Sequence, residues 1–513
     1  MFSRTSVKTS KNQQGLALLV FIIVVVLAFA TYALSGLSIN QVKNDNKLQT
    51  RIALKNAKDA LIAYAVTHSD RSGYEGEMGY FPCPDWFSGT LEEGGSDGNC
   101  GNAQTSTIGY FPWVSVDTPI FSDNSGSCLW YAVSGSYKKP NSSISMINED
   151  SSGLFQIMDG NNEIMIGNSP EDRIVAIIFA PGEPLTNQTR TFDNSSFCGK
   201  DYGNVSEYLE GNGTSNNGVF DGDPDAIDQF IHATTTSESE VTPYNDQFIT
   251  VTRNEIWKAI LGRSDFIEKM ENLTQALAMC LASYANLPAN TSRRLPWPVK
   301  TDLNGADYRS NDKYKDEDGA TIGYSGRFPF DVSNSNSAIS ATLLNSEIFD
   351  MADCNALAVG SGTTAATANL LDPSDPGPPS IPATEYRKLW NNWKDHFFYT
   401  LSKGYEPSNT GAATCATSGA CITINGNEYA GAVIFSGKRL LDAGGNDTLR
   451  SDKSIVTDYL EDSKGAVFGA EATNKTGVES YIYTEPQTDA INDIMYCIQD
   501  QVAGIPLVVA ECS

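Results

Sequence analysis

Histidine is nearly absent from this chain. Among 513 residues only His68, His232 and His396 occur. None sits in an H-E-x-x-H or similar ligand spacing, and there is neither a C-x-x-C pair nor a phosphate-binding loop. Zinc ribbons, thioredoxin-like redox chemistry and nucleotide hydrolysis therefore have no support. Basic residues are also scarce: 35 Lys and Arg stand against 62 Asp and Glu, a net charge of −27. A body this acidic repels phosphates and anionic lipid heads, which argues against direct nucleic-acid binding. Carboxylates are so numerous that no catalytic pair can be chosen without geometry, so the expectation is a non-enzymatic protein.

Two further absences lie together near the start. No charge occurs from Leu16 to Leu34, and no proline from Leu16 to Phe81. The 19 uncharged residues span roughly 28 Å as a helix, about one bilayer core. The preceding leader carries Arg4, Lys8 and Lys11 with no acid and ends in Gly15, which places it on the cytoplasmic side and the rest outward. Beyond Gly36, Leu48, Ile52, Leu54, Ala57, Leu61, Tyr64 and Ala65 recur at helical spacing among charged residues. The pattern predicts one helix over 16–66, apolar over 16–36 and amphipathic later. Ala28-Phe29-Ala30 also offers a signal-peptidase site, with a mature start at Thr31.

Lys11-Asn-Gln-Gln-Gly15 followed by Leu16-Ala-Leu-Leu-Val20 resembles the prepilin signal of type IV pilins and type II secretion pseudopilins. The resemblance covers about the first sixty residues. It implies cleavage between Gly15 and Leu16 by prepilin peptidase, methylation of the new terminus, and assembly with other pilin subunits through the N-terminal helix. It also implies residence in the inner membrane with a periplasmic head before assembly into a pilus or pseudopilus. Most major pilins carry Glu as the fifth mature residue; the position here is Val20. That departure and the chain length fit a minor, tip-type subunit. The alternative is a membrane-anchored or secreted periplasmic binding protein or hydrolase with an ordinary signal sequence.

Ten cysteines, Cys83 to Cys512, all follow the apolar run, as expected of disulfides in an oxidising compartment. Loop length favours Cys415 with Cys421, Cys497 with Cys512, and Cys83 with Cys100.

Self-comparison shows strings repeated in one order. Leu61-Ile-Ala-Tyr-Ala65 is echoed by Leu281-Ala-Ser-Tyr-Ala285, and Tyr80-Phe-Pro-Cys-Pro84 by Arg294-Leu-Pro-Trp-Pro298. Thr107-Ile-Gly-Tyr110 returns as Thr321-Ile-Gly-Tyr324, and Leu129–Ser134 as Phe397–Ser402. Ala176–Gly182 matches Ala432–Gly437, and Val205–Glu210 matches Val456–Glu461. Two head copies are expected, 57–254 and 255–513, the second opening with a helix over 255–287. Strand-like runs at 163–167, 173–179, 421–424 and 429–435, with a hairpin turn at Asn425-Gly426, complete an α+β expectation: a long hydrophobic pilin-like helix, then a duplicated head of helix plus antiparallel sheet. Segments 86–106, 186–225 and 360–383 read as loops.

No cofactor is expected, with calcium the one candidate. Asp221, Asp223, Asp225 and Asp228 place hard oxygen ligands around a turn, and Asp312, Asp316 and Asp318 form a second acidic group. Neither follows the EF-hand pattern, since Pro224 intrudes and His232 holds the closing position.

Overall fold

The computed structural model describes residues 13–513 apart from 87–91, 140–145, 192–195, 212–216, 233–243, 340–347, 349–382, 441–449, 465–475, 484–491, 501–505 and shorter stretches; the side chains of 13–18, 30 and 33–43 are not described either.

The first helix, α1, runs Gln13–Thr67. Its contribution to the fold is short. From Thr50 onward Leu54, Ala57, Leu61, Tyr64 and Ala65 turn one face into the core, each buried leucine contributing about 1.5–3 kcal/mol. Ahead of Thr50 the described side chains, Leu19 to Leu27 and Phe29 among them, are exposed. No helix among the described residues is long and apolar enough to cross a membrane. The expectation of a long hydrophobic helix as a defining element of the fold is thus corrected. Among the described side chains of α1, those from Thr50 onward are the ones packed into the core.

The first sheet contains β1 (Thr107–Tyr110), β2 (Trp130–Val133), β3 (Phe155–Asp159), β4 (Ile164–Ile166), β5 (Ile174–Ala180), β6 (Asp228–His232) and β7 (Gln247–Thr252). Strands β1, β2, β5 and β7 are neighbours in that order and antiparallel. The hairpin β3–β4 joins at β5, and β6 runs parallel to β3. Two helices then follow, α2 (Arg253–Leu261) and α3 (Ser264–Asn286). They replace the single helix expected over 255–287, which is interrupted at Gly262-Arg263. Glu255 starts α2 by accepting from the Thr252 N–H and hydroxyl at 2.9 and 3.1 Å, a capping arrangement.

The remaining strands are β8 (Ser325–Arg327), β9 (Phe397–Leu401), β10 (Ile422–Ile424), β11 (Asn427–Tyr429), β12 (Gly431–Phe435), β13 (Ser480–Tyr481), β14 (Ile494–Gln499) and β15 (Val508–Glu511). Strands β8, β9, β12 and β14 repeat the antiparallel order of β1, β2, β5 and β7, with β15 added at the edge. The hairpin β10–β11 with parallel β13 repeats β3–β4 with parallel β6. Helices α4 (Ser333–Ile339) and α5 (Ala383–Trp393) lie between β8 and β9.

The hydrogen bonds set the alignment of the copies. Tyr110 faces Trp130 as Arg327 faces Phe398, and Val133 faces Ala176 as Leu401 faces Gly431. The Tyr131 hydroxyl donates to the Pro82 carbonyl at 3.1 Å, and the Tyr399 hydroxyl to that of Pro296 at 3.2 Å. Two sequence matches shift accordingly. Gly109 corresponds to Gly326 rather than Gly323, and Ala176 to Gly431 rather than Ala432; Thr321 and Ile322 lie outside the described residues. Both glycines sit where a Cβ would strike another chain segment: the Trp86 and Pro84 side chains at Gly109, the Val299 carbonyl at Gly326.

Two corrections concern the strands. The first sheet and the small β11–β10–β13 sheet are mixed, each with one parallel pair reached by a crossover longer than the dozen or so residues it needs, while the five-stranded sheet is antiparallel throughout. The run 429–435 divides: Tyr429 ends the hairpin made by Asn425 and Gly426, both at positive φ, while Gly431–Phe435 belongs to the main second sheet.

One core joins the two copies. Leu61 and Tyr64 of α1, Ile256 of α2, Leu277, Leu281 and Tyr284 of α3, and Trp390 of α5 share it with the inner faces of both sheets. Tyr80, Phe81, Phe111, Trp113, Leu295, Trp297, Phe328 and Phe330, from the proline-containing segments Tyr80–Pro82, Phe111–Trp113, Leu295–Trp297 and Phe328–Phe330, are packed into this core. The outer face of each sheet covers a smaller cluster, around Trp130, Phe179 and Tyr208 in copy one and Phe398, Ile434 and Tyr459 in copy two. Strands β5 and β12 are therefore buried on both faces, which explains their unbroken apolar runs.

Candidate functional site

Each copy builds a polar anchor on its outer cluster, half-buried in copy one and fully buried in copy two. In copy one Arg190 donates to the carbonyls of Glu207, Gly182 and Pro181 at 2.9, 2.6 and 3.4 Å and stacks on Tyr208. In copy two Arg450 donates to the carbonyls of Asp458, Gly437 and Ser436 at 2.9, 3.4 and 3.3 Å and stacks on Tyr459. The turns that follow Val205 and Val456 place Glu207 and Asp458 alike, and the residues just after β5 and β12 supply the other two carbonyls.

Behind each tyrosine stands a carboxyl pair. Glu210 accepts from the backbone N–H groups of Asn245 and Asp246, while Asp246 accepts from that of Glu210. Glu461 and Asp493 make the same exchange, with Asn492 in the place of Asn245. Burial and the neighbouring carboxylate raise Asp246 and Asp493 well above the ordinary carboxylate range.

The densest charge lies where the copies meet. Asp150 Oδ1 accepts from Arg439 Nε at 2.8 Å, and Oδ2 accepts from the Tyr459 hydroxyl at 2.9 Å with His396 Nε2 3.3 Å away. His396 Nδ1 is 2.9 Å from Asp395 Oδ1, which also accepts from Asn148; Lys453 pairs with the other Asp395 oxygen. Glu149 receives Arg450 at 2.8 Å, and Glu171 receives Arg439 at 2.6 Å and Arg253 at 2.8 Å. Asp150, Asp395 and His396 are fully buried. Burial alone would raise Asp150, but Arg439 and His396 outweigh it and hold the group well below its ordinary range. Burial would lower His396, but Asp395 and Asp150 reverse that and raise it.

Glu149, Asp150 and His396 bring three ligand-type atoms within 4.8 Å of one another. Asp150 already accepts from Arg439 and the Tyr459 hydroxyl and Glu149 from Arg450, so a metal would have to displace Arg439 or Arg450. No substrate can reach fully buried side chains without opening the fold. The arrangement is chemically suited to locking the two copies together and to responding to pH.

The residues singled out from sequence are placed as follows. Gly15 and Leu16 lie in α1, with the Leu16 side chain outside the described residues. Disulfides join Cys83 to Cys100, Cys415 to Cys421 and Cys497 to Cys512. A further bond, Cys128–Cys198, was not anticipated, and Cys280 is disulfide-bonded to a partner outside the described residues. Asp221 is outside them too. Asp225 gives both oxygens to Arg309 at 2.8 Å, and buried Asp228 opens β6, its N–H on the Leu154 carbonyl. Asp316 is a buried helix cap, accepting from the N–H groups of Asn334 and Ser335 at the start of α4.

Gly94-Gly-Ser-Asp-Gly98 has the spacing of a nucleophile elbow, yet Ser96 lies in an irregular loop with its hydroxyl 3.5 Å from the Asp97 carbonyl. Arg190 and Arg450 were not found from sequence because they lie 15 and 6 residues ahead of Val205 and Val456. Comparison with family models, curated proteins and solved structures gives no match for this chain.

Proposed function

We propose that the chain is a non-enzymatic, exported subunit of a pilin- or pseudopilin-type assembly, processed after Gly15 and located as a minor, tip-type component. The observation that carries this reading is the contrast between its two ends. The double head packs most of its large apolar side chains into three buried clusters and exposes a few at scattered places such as Phe197 and Ile164–Ile166, whereas Leu19 to Leu27 and Phe29 stand exposed as one run, a surface that calls for an apolar environment outside the chain. The cationic leader supplies the processing signal and neighbouring subunits the environment. Four described disulfides suit an oxidising compartment, and the acidic composition disfavours nucleic acid as a partner.

N-terminal sequencing of the native protein, together with its detection in sheared fibre fractions, tests the reading. A start at Leu16 and co-purification with fibres are expected. A start at Thr31 in a freely soluble protein would overturn it. Replacing Gly15 by Trp should leave unprocessed precursor.

A further inference from the structure

The carboxyl pair of copy two has a third member that copy one lacks. Lys464, fully buried, places Nζ 3.4 Å from Asp493 Oδ2, and Asp493 is fully buried as well. Glu461 is held against Asp493 by the reciprocal backbone hydrogen bonds described above, so an ammonium and two carboxyls share one enclosed space beside Tyr483. Copy one has the corresponding pair, Glu210 and Asp246, but no lysine occurs between Asp201 and Thr252.

The geometry points to an intramolecular isopeptide bond between Lys464 and Asp493, formed autocatalytically with Glu461 as the proton carrier. The Glu461 carboxylate takes a proton from the Lys464 ammonium, leaving a neutral amine. The Nζ lone pair attacks Asp493 Cγ, forming the C–N bond. Glu461 returns a proton to the departing Asp493 oxygen, which leaves as water as the C–O bond breaks. The amide nitrogen loses its second proton to the same carboxylate cycle. Amine and carboxylic acid yield amide and water, with no oxidant or other co-reactant.

Burial favours this step twice: it excludes the water that would reverse the reaction, and it keeps the amine and carboxyl at fixed separation. Burial and the neighbouring Glu461 raise Asp493, which favours the acid form that can lose water. A second lysine–aspartate pair, half-buried Lys453 with buried Asp395, supplies a contrast. Lys453 and His396 hold Asp395 as a carboxylate against its burial, and an anionic carboxylate is a poor electrophile. That pair remains ionic.

The bond would fasten the segment after Glu461 to the residue that leads into β14. Tryptic mapping of the full-length chain, after disulfide reduction and alkylation, decides the matter. A branched peptide containing Lys464 and Asp493, lighter than its two parts by one water and uncut at Lys464, is expected. Linear peptides cleaved after Lys464 in the unmodified protein would overturn the assignment. Glu461→Gln should give those linear peptides in a chain whose Cys497–Cys512 and Cys415–Cys421 bonds still form. A branched peptide persisting in that variant would remove Glu461 from its role.

Discussion

Two residues ahead of the aligned aromatics Trp130 and Phe398, copy one has Cys128 and copy two has His396. Cys128 is fixed by a disulfide to Cys198, wholly within its own copy. His396 is held between Asp395 of its own copy and Asp150 of the other. The arginine anchors diverge similarly. Arg190 bonds carbonyls and polar side chains of copy one, whereas fully buried Arg450 adds Glu149 from across the boundary. The same backbone position is therefore secured covalently in one copy and by charge in the other. Copy two gives these positions to the joint between copies, and copy one keeps them for internal bracing.

The largest test of that contrast is to truncate the two arginines. Arg450→Ala leaves Glu149 buried without its cation and should cost about 3–5 kcal/mol, the scale for breaking a buried pair. Arg190→Ala removes hydrogen bonds from a half-buried group that is ion-paired with no carboxylate among the described residues, and should cost about 1–3 kcal/mol. Denaturant titration of both variants gives the comparison; equal costs would remove the distinction. Next comes Cys128→Ser with Cys198→Ser. Loss of this bond should cost about 2–5 kcal/mol, and proteolysis should open copy one first while segments of copy two stay protected.

How far sequence could have foretold this depends on the kind of contact. Phe397–Ser402 and Val456–Glu461 were aligned correctly with Leu129–Ser134 and Val205–Glu210 because strands and turns buried on both sides impose residue type at each position. Thr321-Ile-Gly-Tyr324 misled because a short string carries no register; the ladder made by Ser325–Arg327 does. The aspartates at 225 and 228 look alike in one dimension, yet one meets Arg309 and the other opens a strand. The joint between the copies was invisible for a related reason. Glu149 and Arg450 are 301 residues apart, and no local pattern marks them as partners. The apolar stretch over 16–36 was plain as composition, but composition does not say what its exposed described side chains, Leu19 to Leu27 and Phe29, would pack against.

A smaller effect should appear with pH. The folded state raises His396, so its contribution is fully present below the unfolded value of about 6.5 and is lost as pH rises through the higher folded value. Asp150 and Asp395 are depressed, so their contribution is present above about 3.9 and falls away as acid approaches their lower folded values. Stability measured against pH should decline on the alkaline side in the native protein. His396→Asn should flatten that limb and leave the acid limb. An unchanged alkaline decline in the variant would assign it to another group.

The smallest effect is expected at the pair that most resembles the central one in bonding. Arg309 grips Asp225 with two bonds of 2.8 Å, as short as the bond of Arg439 Nε to Asp150. The difference is solvent: Asp225 is 43% exposed and Asp150 is not exposed at all. Exposed pairs contribute about 0–1 kcal/mol because water and salt screen them. Asp225→Asn should therefore shift the unfolding midpoint barely, and calcium added to the native protein should not shift it through Asp225, whose oxygens Arg309 already holds. If Asp225→Asn proved as costly as Arg450→Ala, burial would not be what separates the two ion pairs, and the joint between the copies would owe its strength to bond geometry alone.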